Sequence, residues 1–164
     1  MPAAPVVIIG QGNEFRGDDG AGPEVIRRLK TRGVDRDNRV AVITGPLDVV
    51  GIINEWQNTA LTIFIDAVLA QGPPGKIHTF HPLISPIPEA MGTLLSTHDT
   101  PPFTKALELG QAIDRLPHEL VVYCIEGQNL THKIGLTAEV DQAVDRIVDM
   151  ISETIRQFLS GTSQ

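Results

Sequence analysis

The chain has 164 residues and a mass of 17.7 kDa, a length that suits one domain with a substantial core. Its 13 basic and 20 acidic residues give a net charge of −7, and it has no basic stripe of the kind that binds nucleic acid. The single cysteine, Cys124, excludes an internal disulfide and a thiolate-rich metal site. Because the apolar runs are too short to span a membrane and the N-terminus does not resemble a secretory signal, we expect a cytoplasmic protein without membrane association. We also expect a monomer.

Apolar runs that end near glycine or proline predict strands, and apolar residues at helical spacing predict helices between them. Strands are predicted at 6–9, 39–44, 61–67, 76–81 and 120–127, and helices at 21–32, 47–56, 103–113 and from 137 onwards. The alternation of polar and apolar residues in 76–81 is typical of an edge strand, and the tail 160–164 is expected to fray. The order of elements predicts a single α/β domain over residues 1–164. We expect a three-layer α/β/α sandwich whose five-stranded, mostly parallel sheet has helices on both faces.

The helical periodicity also predicts which side chains fill the core. In the second helix Val50, Ile53 and Trp56 are expected to face inward, and Cys124 is expected to pack within its strand rather than act as a nucleophile. The last helix has a longer apolar stripe, formed by Val140, Val144, Ile147, Val148, Ile151 and Ile155.

Two glycines and two adjacent carboxylates follow the first predicted strand. The Gly10-x-Gly12 pair is half of a dinucleotide-binding fingerprint, but its third position is Phe15. Asp18 and Asp19 would repel a phosphate at the start of the next helix, so we expect no nucleotide. A helix cap explains one of these carboxylates and leaves the other for a different role, such as holding a cation.

Three polar side chains are expected at the carboxyl edge of the sheet, where ligands bind in folds of this class. Asp19 follows the first strand, Asp66 closes a very apolar strand, and His98 lies in a long loop. A helix cap or a backbone hydrogen bond is the other interpretation of Asp66. Two carboxylates and one imidazole suit nickel, zinc, manganese or iron, and a set of only three leaves coordination positions open.

The remaining histidines do not form such a set. His78 and His81 should point to opposite faces of their strand, and His118 and His132 have no metal-ligand spacing. Glu126, at the end of the last strand, is either a supporting or basic group for the site or a solvated strand end.

Several motifs resemble those of the hydrogenase maturation proteases. The most specific is Gly10-x-Gly12-Asn13 followed by Gly17-Asp18-Asp19-Gly20-x-Gly22. The resemblance continues through three further stretches, so it covers almost the whole chain. These stretches are Phe64-Ile65-Asp66-Ala67, Thr97-His98, and Ile125-Glu126-Gly127 with Ile134-Gly135-Leu136-Thr137.

The resemblance implies an endopeptidase that removes the C-terminal extension of the nickel–iron hydrogenase large-subunit precursor. It implies that Asp19, Asp66 and His98 bind nickel supplied by that substrate, and that Asp18 caps the helix or orients Asp19. The segment 44–48 matches the family's presumed substrate-contacting region only in part, which leaves open which hydrogenase is processed. Two alternatives remain: a non-catalytic chaperone that binds nickel or hydrogenase, and a general metallopeptidase with its own zinc.

Overall fold

The structure, a computed structural model, describes residues 5–69, 72–88 and 102–162. The strands of this part of the chain are β1 (Val6–Gly10), β2 (Val40–Thr44), β3 (Leu61–Val68), β4 (Ile77–Phe80) and β5 (Glu119–Glu126). Its α-helices are α1 (Ala21–Thr31), α2 (Val49–Trp56), α3 (Pro102–Ala112) and α4 (Ala138–Thr162). Short 3-10 turns lie at Gly17–Gly20 and Val34–Arg36.

The five strands form one sheet in the order β2-β1-β3-β5-β4. Four of them run parallel, and β4 pairs antiparallel with β5 at the edge, as its alternating sequence predicts. The central strand β3 is buried along its whole length, which agrees with its almost unbroken apolar sequence. The carboxyl ends of β1, β3 and β5 therefore meet at the same edge of the sheet.

Helices cover both faces of the sheet, so the predicted three-layer architecture is confirmed. One core cluster joins β1, β3 and β5 to α1 and α4, and it contains the whole predicted stripe of the last helix. The other joins the opposite face to α2 and α3, with Trp56, Phe64 and Phe103 at its centre. Cys124 is fully buried in this second cluster, and burial raises the pKa of its thiol, as does the nearby charge of Asp66. No helix among the described residues is long and apolar enough to cross a membrane.

Two details differ from the sequence expectation. Val50 is 61% exposed, and Ile52 takes the inward position beside Ile53 and Trp56. The helix begins at Val49 after an Asp48 cap, and its buried side is formed by Ile52, Ile53 and Trp56, which are spaced i, i+1 and i+4. The last helix continues through Thr162, into the segment 160–164 whose fraying stays a prediction, and residues 163–164 lie outside the described residues.

The start of α1 lies directly against the end of β1. A Cβ atom on Gly10 would be 2.3 Å from the carbonyl oxygen of Gly22, and one on Gly22 would be 2.2 Å from that of Gln11. Backbone groups of the strand and the helix are therefore in contact where any side chain would force them apart. This contact holds the turn between them close to the sheet edge.

We expect Gly10→Ala to destabilise the protein by about 2–3 kcal/mol, because the new methyl group meets backbone atoms that cannot rotate away. Urea unfolding monitored by circular dichroism measures this. Gly161→Ala, in the last turn of α4 with open space at the Cβ position, is the matched control and should be neutral or slightly stabilising, because alanine favours a helix over glycine. Equal stability of the two variants would contradict the close packing at Gly10.

Candidate functional site

A tight turn after β1 places Asp19 at the carboxyl edge of the sheet. Gly12 has a φ of 131°, and a Cβ atom there would lie 2.0 Å from the Asp19 carbonyl oxygen, so the turn requires glycine. The backbone N–H of Asn13 donates to Asp19 Oδ2 at 3.0 Å. Asp19 lies in the 3-10 turn Gly17–Gly20 and is partly exposed, so its carboxylate is held in place and remains accessible.

Asp66 lies near the end of β3 and is only 9% exposed. Its Oδ1 accepts a hydrogen bond from the N–H of Ala67 at 2.9 Å, as one of the two sequence interpretations anticipates. Burial raises the pKa of the Asp66 carboxyl well above its usual value, and the negative charge of Asp19 raises it further. The fold thus brings Asp19 and Asp66 close enough to repel each other.

The third predicted ligand, His98, lies outside the described residues. Within residues 5–69, 72–88 and 102–162 no group of three histidine, cysteine or acidic side chains is placed to hold a metal ion. The set of Asp19, Asp66 and His98 therefore stays a prediction, of which the structure describes the two carboxylates.

Asp18 has a different role from the two that the sequence suggested. It is fully buried, and neither the 3-10 turn nor α1 has a side-chain cap. Its carboxylate accepts hydrogen bonds from the N–H groups of Gln128 (2.8 Å), Asn129 (3.0 Å) and Thr137 (2.8 Å), and from the Thr137 hydroxyl. Asp18 therefore fastens the loop after β5 to the turn after β1, a long-range contact that local sequence patterns do not reveal.

Glu126 is 3% exposed, so its interpretation as a solvated strand end is wrong. Its Oε1 lies 3.1 Å from His78 Nε2 on the edge strand, whereas Oε2 has no hydrogen-bond partner in the described part of the chain. Gly72 lies against this carboxyl group, because a Cβ atom there would be 2.1 Å from Oε2. Glu126 and His78 thus form a mostly buried pair beneath the loop that joins β3 to β4.

Gln11 is a further residue that the sequence patterns missed. It is buried between the two glycines of the turn, where its amide donates to the carbonyl of Leu47 and accepts from the Leu47 N–H, both at 2.8 Å. An amide suits this place because it pairs with both backbone groups at once. The side chain joins the turn after β1 to the loop after β2, and the only sequence signal was a polar residue between glycines.

We expect Asp18→Asn to destabilise the protein by about 2–4 kcal/mol, because the new NH₂ group faces buried N–H donors. Chemical denaturation measures the change, and hydrogen exchange should show reduced protection of the Gln128, Asn129 and Thr137 amides. Asp48→Asn, at an exposed helix cap where asparagine works equally well, is the control and should be close to neutral. Unchanged protection in Asp18→Asn would contradict the anchoring role.

Asp66→Asn should raise the unfolding free energy of the metal-free protein at pH 7 by about 1–3 kcal/mol. This is the usual cost of burying a polar group whose burial is not fully compensated, and the neutral amide avoids it. Because the folded-state pKa of Asp66 is raised, its ionised form costs stability as pH rises above the unfolded value. The difference between variant and parent should shrink as pH falls below about 4, the unfolded-state pKa, because the carboxyl then becomes neutral in both states. Urea unfolding in EDTA across this range tests it, and a less stable variant at pH 7 would contradict the buried charge.

Comparison with known proteins gives a consistent assignment. The family model described as hydrogenase maturation protease (HycI) matches residues 23–154. The delta subunit of coenzyme F420 hydrogenase from Methanothermobacter thermautotrophicus is 30% identical over 163 residues, 93% of this chain and 95% of the relative.

Solved structures agree with these sequence matches. The hydrogenase 2 maturation peptidase of a Thaumarchaeota archaeon is 26% identical, with a TM-score of 0.65 over 92% of this chain and 97% of its own. The hydrogenase-maturating endopeptidase HybD of E. coli has the same fold, with a TM-score of 0.74 at 17% identity over 93% of this chain and 92% of its own. The chain therefore belongs to the hydrogenase maturation protease family and is a peptidase.

Proposed function

We propose that this peptidase removes the C-terminal extension of a nickel–iron hydrogenase large-subunit precursor after nickel has been inserted. Family membership supports a hydrogenase precursor as the substrate. The role of nickel rests on the paired carboxylates at the sheet edge. The proposed setting is the cytoplasm, and the proposed working unit is a monomer.

The observation that carries this proposal is the juxtaposition of Asp19 and Asp66. The charge of Asp19 raises the pKa of the buried Asp66 carboxyl, so two ionised carboxylates are unfavourable here in the free protein, and a bound dication would offset their repulsion. Because Asp66 is almost fully buried whereas Asp19 is partly exposed, a cation would approach from the Asp19 side. The donor set therefore fits a metal ion that arrives with a substrate.

In this proposal the chain's own residues recognise the nickel and position the peptide. Asp19 and Asp66, with His98 as the third ligand, bind the nickel of the precursor and fix the scissile peptide beside it. The turn after β1 keeps Asp19 in place through the Asn13 N–H, so little rearrangement is needed on binding. Hydrolysis adds water to the scissile carbonyl, breaks the C–N bond and leaves a protonated amine on the released extension. A precursor without nickel would lack this anchor and would stay uncleaved.

Purified protein should release the extension from nickel-loaded precursor and leave nickel-free precursor intact, as followed by mass spectrometry. Asp19→Asn, Asp66→Asn and His98→Ala should each lower the cleavage rate by at least 100-fold, because each removes one ligand. Asp66→Asn is the sharpest of these variants, since it should lose activity while gaining stability.

The control is Asp35→Asn, an exposed substitution in the 3-10 turn before β2 and away from the carboxyl edge of the sheet, and it should cleave at the parental rate. Binding of the precursor without cleavage of either form would favour a non-catalytic chaperone. Equal cleavage of both forms, abolished by chelation before the substrate is added, would favour a general metallopeptidase with its own zinc. Retained activity in any ligand variant would remove that residue from the site.

A further inference from the structure

Two large apolar side chains project into solvent from loops next to the candidate site. Phe15, in the turn after β1, is 56% exposed, and Ile134, in the loop after β5, is 74% exposed. Single exposed apolar residues are common and need no explanation. These two differ from that background because both belong to loops that are fastened to each other.

The fastening consists of backbone hydrogen bonds. Lys133 donates its N–H to the carbonyl of Phe15 at 3.1 Å, and Gly17 donates to the carbonyl of Lys133 at 2.7 Å. A further bond runs from the Asp18 N–H to the Asn129 carbonyl at 2.7 Å, and the Asp18 carboxylate binds the same loop from beneath. Segments 13–17 and 129–134 therefore form one ridge, which we call the Phe15 ridge. Apolar groups held in this way lose little conformational freedom on binding.

The Phe15 ridge borders the path to Asp19. The Asn13 N–H binds the Asp19 carboxylate, and Phe15 is two residues further along the same turn. A shallow cleft of about 170 Å³ adjoins Phe15, and the loops after β1 and β2 supply most of its lining. Phe15 and the turn residues that hold Asp19 therefore line the same cleft or lie directly beside it.

We propose that the Phe15 ridge is the docking surface for the precursor polypeptide, and that Phe15 and Ile134 contact apolar side chains near its scissile bond. This inference rests on the proposed function and adds the surface by which the substrate is held. A second copy of this chain is the less favoured occupant, because a partner seated on the ridge would also cover the route to Asp19. Within the ridge Arg16 and Lys133 outnumber Glu14, so it has a small positive charge in a chain of net charge −7, which suits a precursor segment that is not itself basic.

The variants Phe15→Ala and Ile134→Ala test this surface, since both side chains are exposed and their loss should leave the fold intact. With nickel-loaded precursor, each should raise KM at least fivefold and the double variant at least 30-fold, and the loss should fall on KM rather than on kcat. Precursor binding, measured by calorimetry in an Asp66→Asn background that prevents turnover, should weaken in the same order.

Ile84→Ala is the matched control, because Ile84 is 86% exposed and follows β4. Since β4 runs antiparallel to β5, it ends near the start of the parallel strands, away from their carboxyl ends. Ile84→Ala should change KM and precursor binding by less than twofold. Equal KM and binding constants for the Phe15, Ile134 and Ile84 variants would overturn the docking surface while leaving the peptidase activity in place.

Sedimentation of the same variants tests the other occupant. If Phe15→Ala and Ile134→Ala convert a dimer to a monomer without weakening precursor binding, the ridge is a self-association surface and the proposal is wrong. Failure of the parent protein to cleave the precursor would instead contradict the proposed function, and the binding measurements would still decide the role of the ridge.

Discussion

The buried carboxylate of Asp18 is the contact on which the carboxyl edge of the sheet depends. A buried charge is costly unless hydrogen-bond donors surround it. Three backbone N–H groups and one hydroxyl donate to the two carboxylate oxygens of Asp18. Those donors belong to the loop after β5, whereas Asp18 belongs to the turn after β1. One side chain therefore closes the gap between two strand ends that are separated by β3 in the sheet.

The adjacent residue has the opposite character. Asp18 stabilises the fold through its buried hydrogen bonds. Asp19, in contrast, is partly exposed and lies close enough to Asp66 to raise the pKa of the Asp66 carboxyl. The glycine contacts beneath the turn make this division possible, because they bring α1 against β1 and leave no room for the turn to shift. A rigid framework thus holds a pair of mutually repelling carboxylates at a place where a cation would relieve their repulsion.

Glu126 and His78 extend the polar character of this edge towards β4. Glu126 lies on the same sheet face as Asp66, two residues beyond Cys124. Cys124 is the partner of both Asp66 and His78 across the strands. The pair is mostly buried, and its loop contact at Gly72 leaves the second carboxylate oxygen enclosed by protein. Polar groups of this kind restrict the conformations of the strands and loop that meet around them.

Sequence patterns predict the α/β architecture, the edge position of β4, the apolar stripe of the last helix and the approach of Asp19 to Asp66. These features follow from hydrophobic periodicity, which short stretches of sequence show, and from the rule that parallel strands end at the same edge of a sheet. The partners of Asp18, the burial of Glu126 beside His78, and the link between Gln11 and Leu47 are visible only in the folded chain. Those contacts join residues 36 to 119 positions apart, and a side chain that pairs over such a distance has no local pattern to mark it.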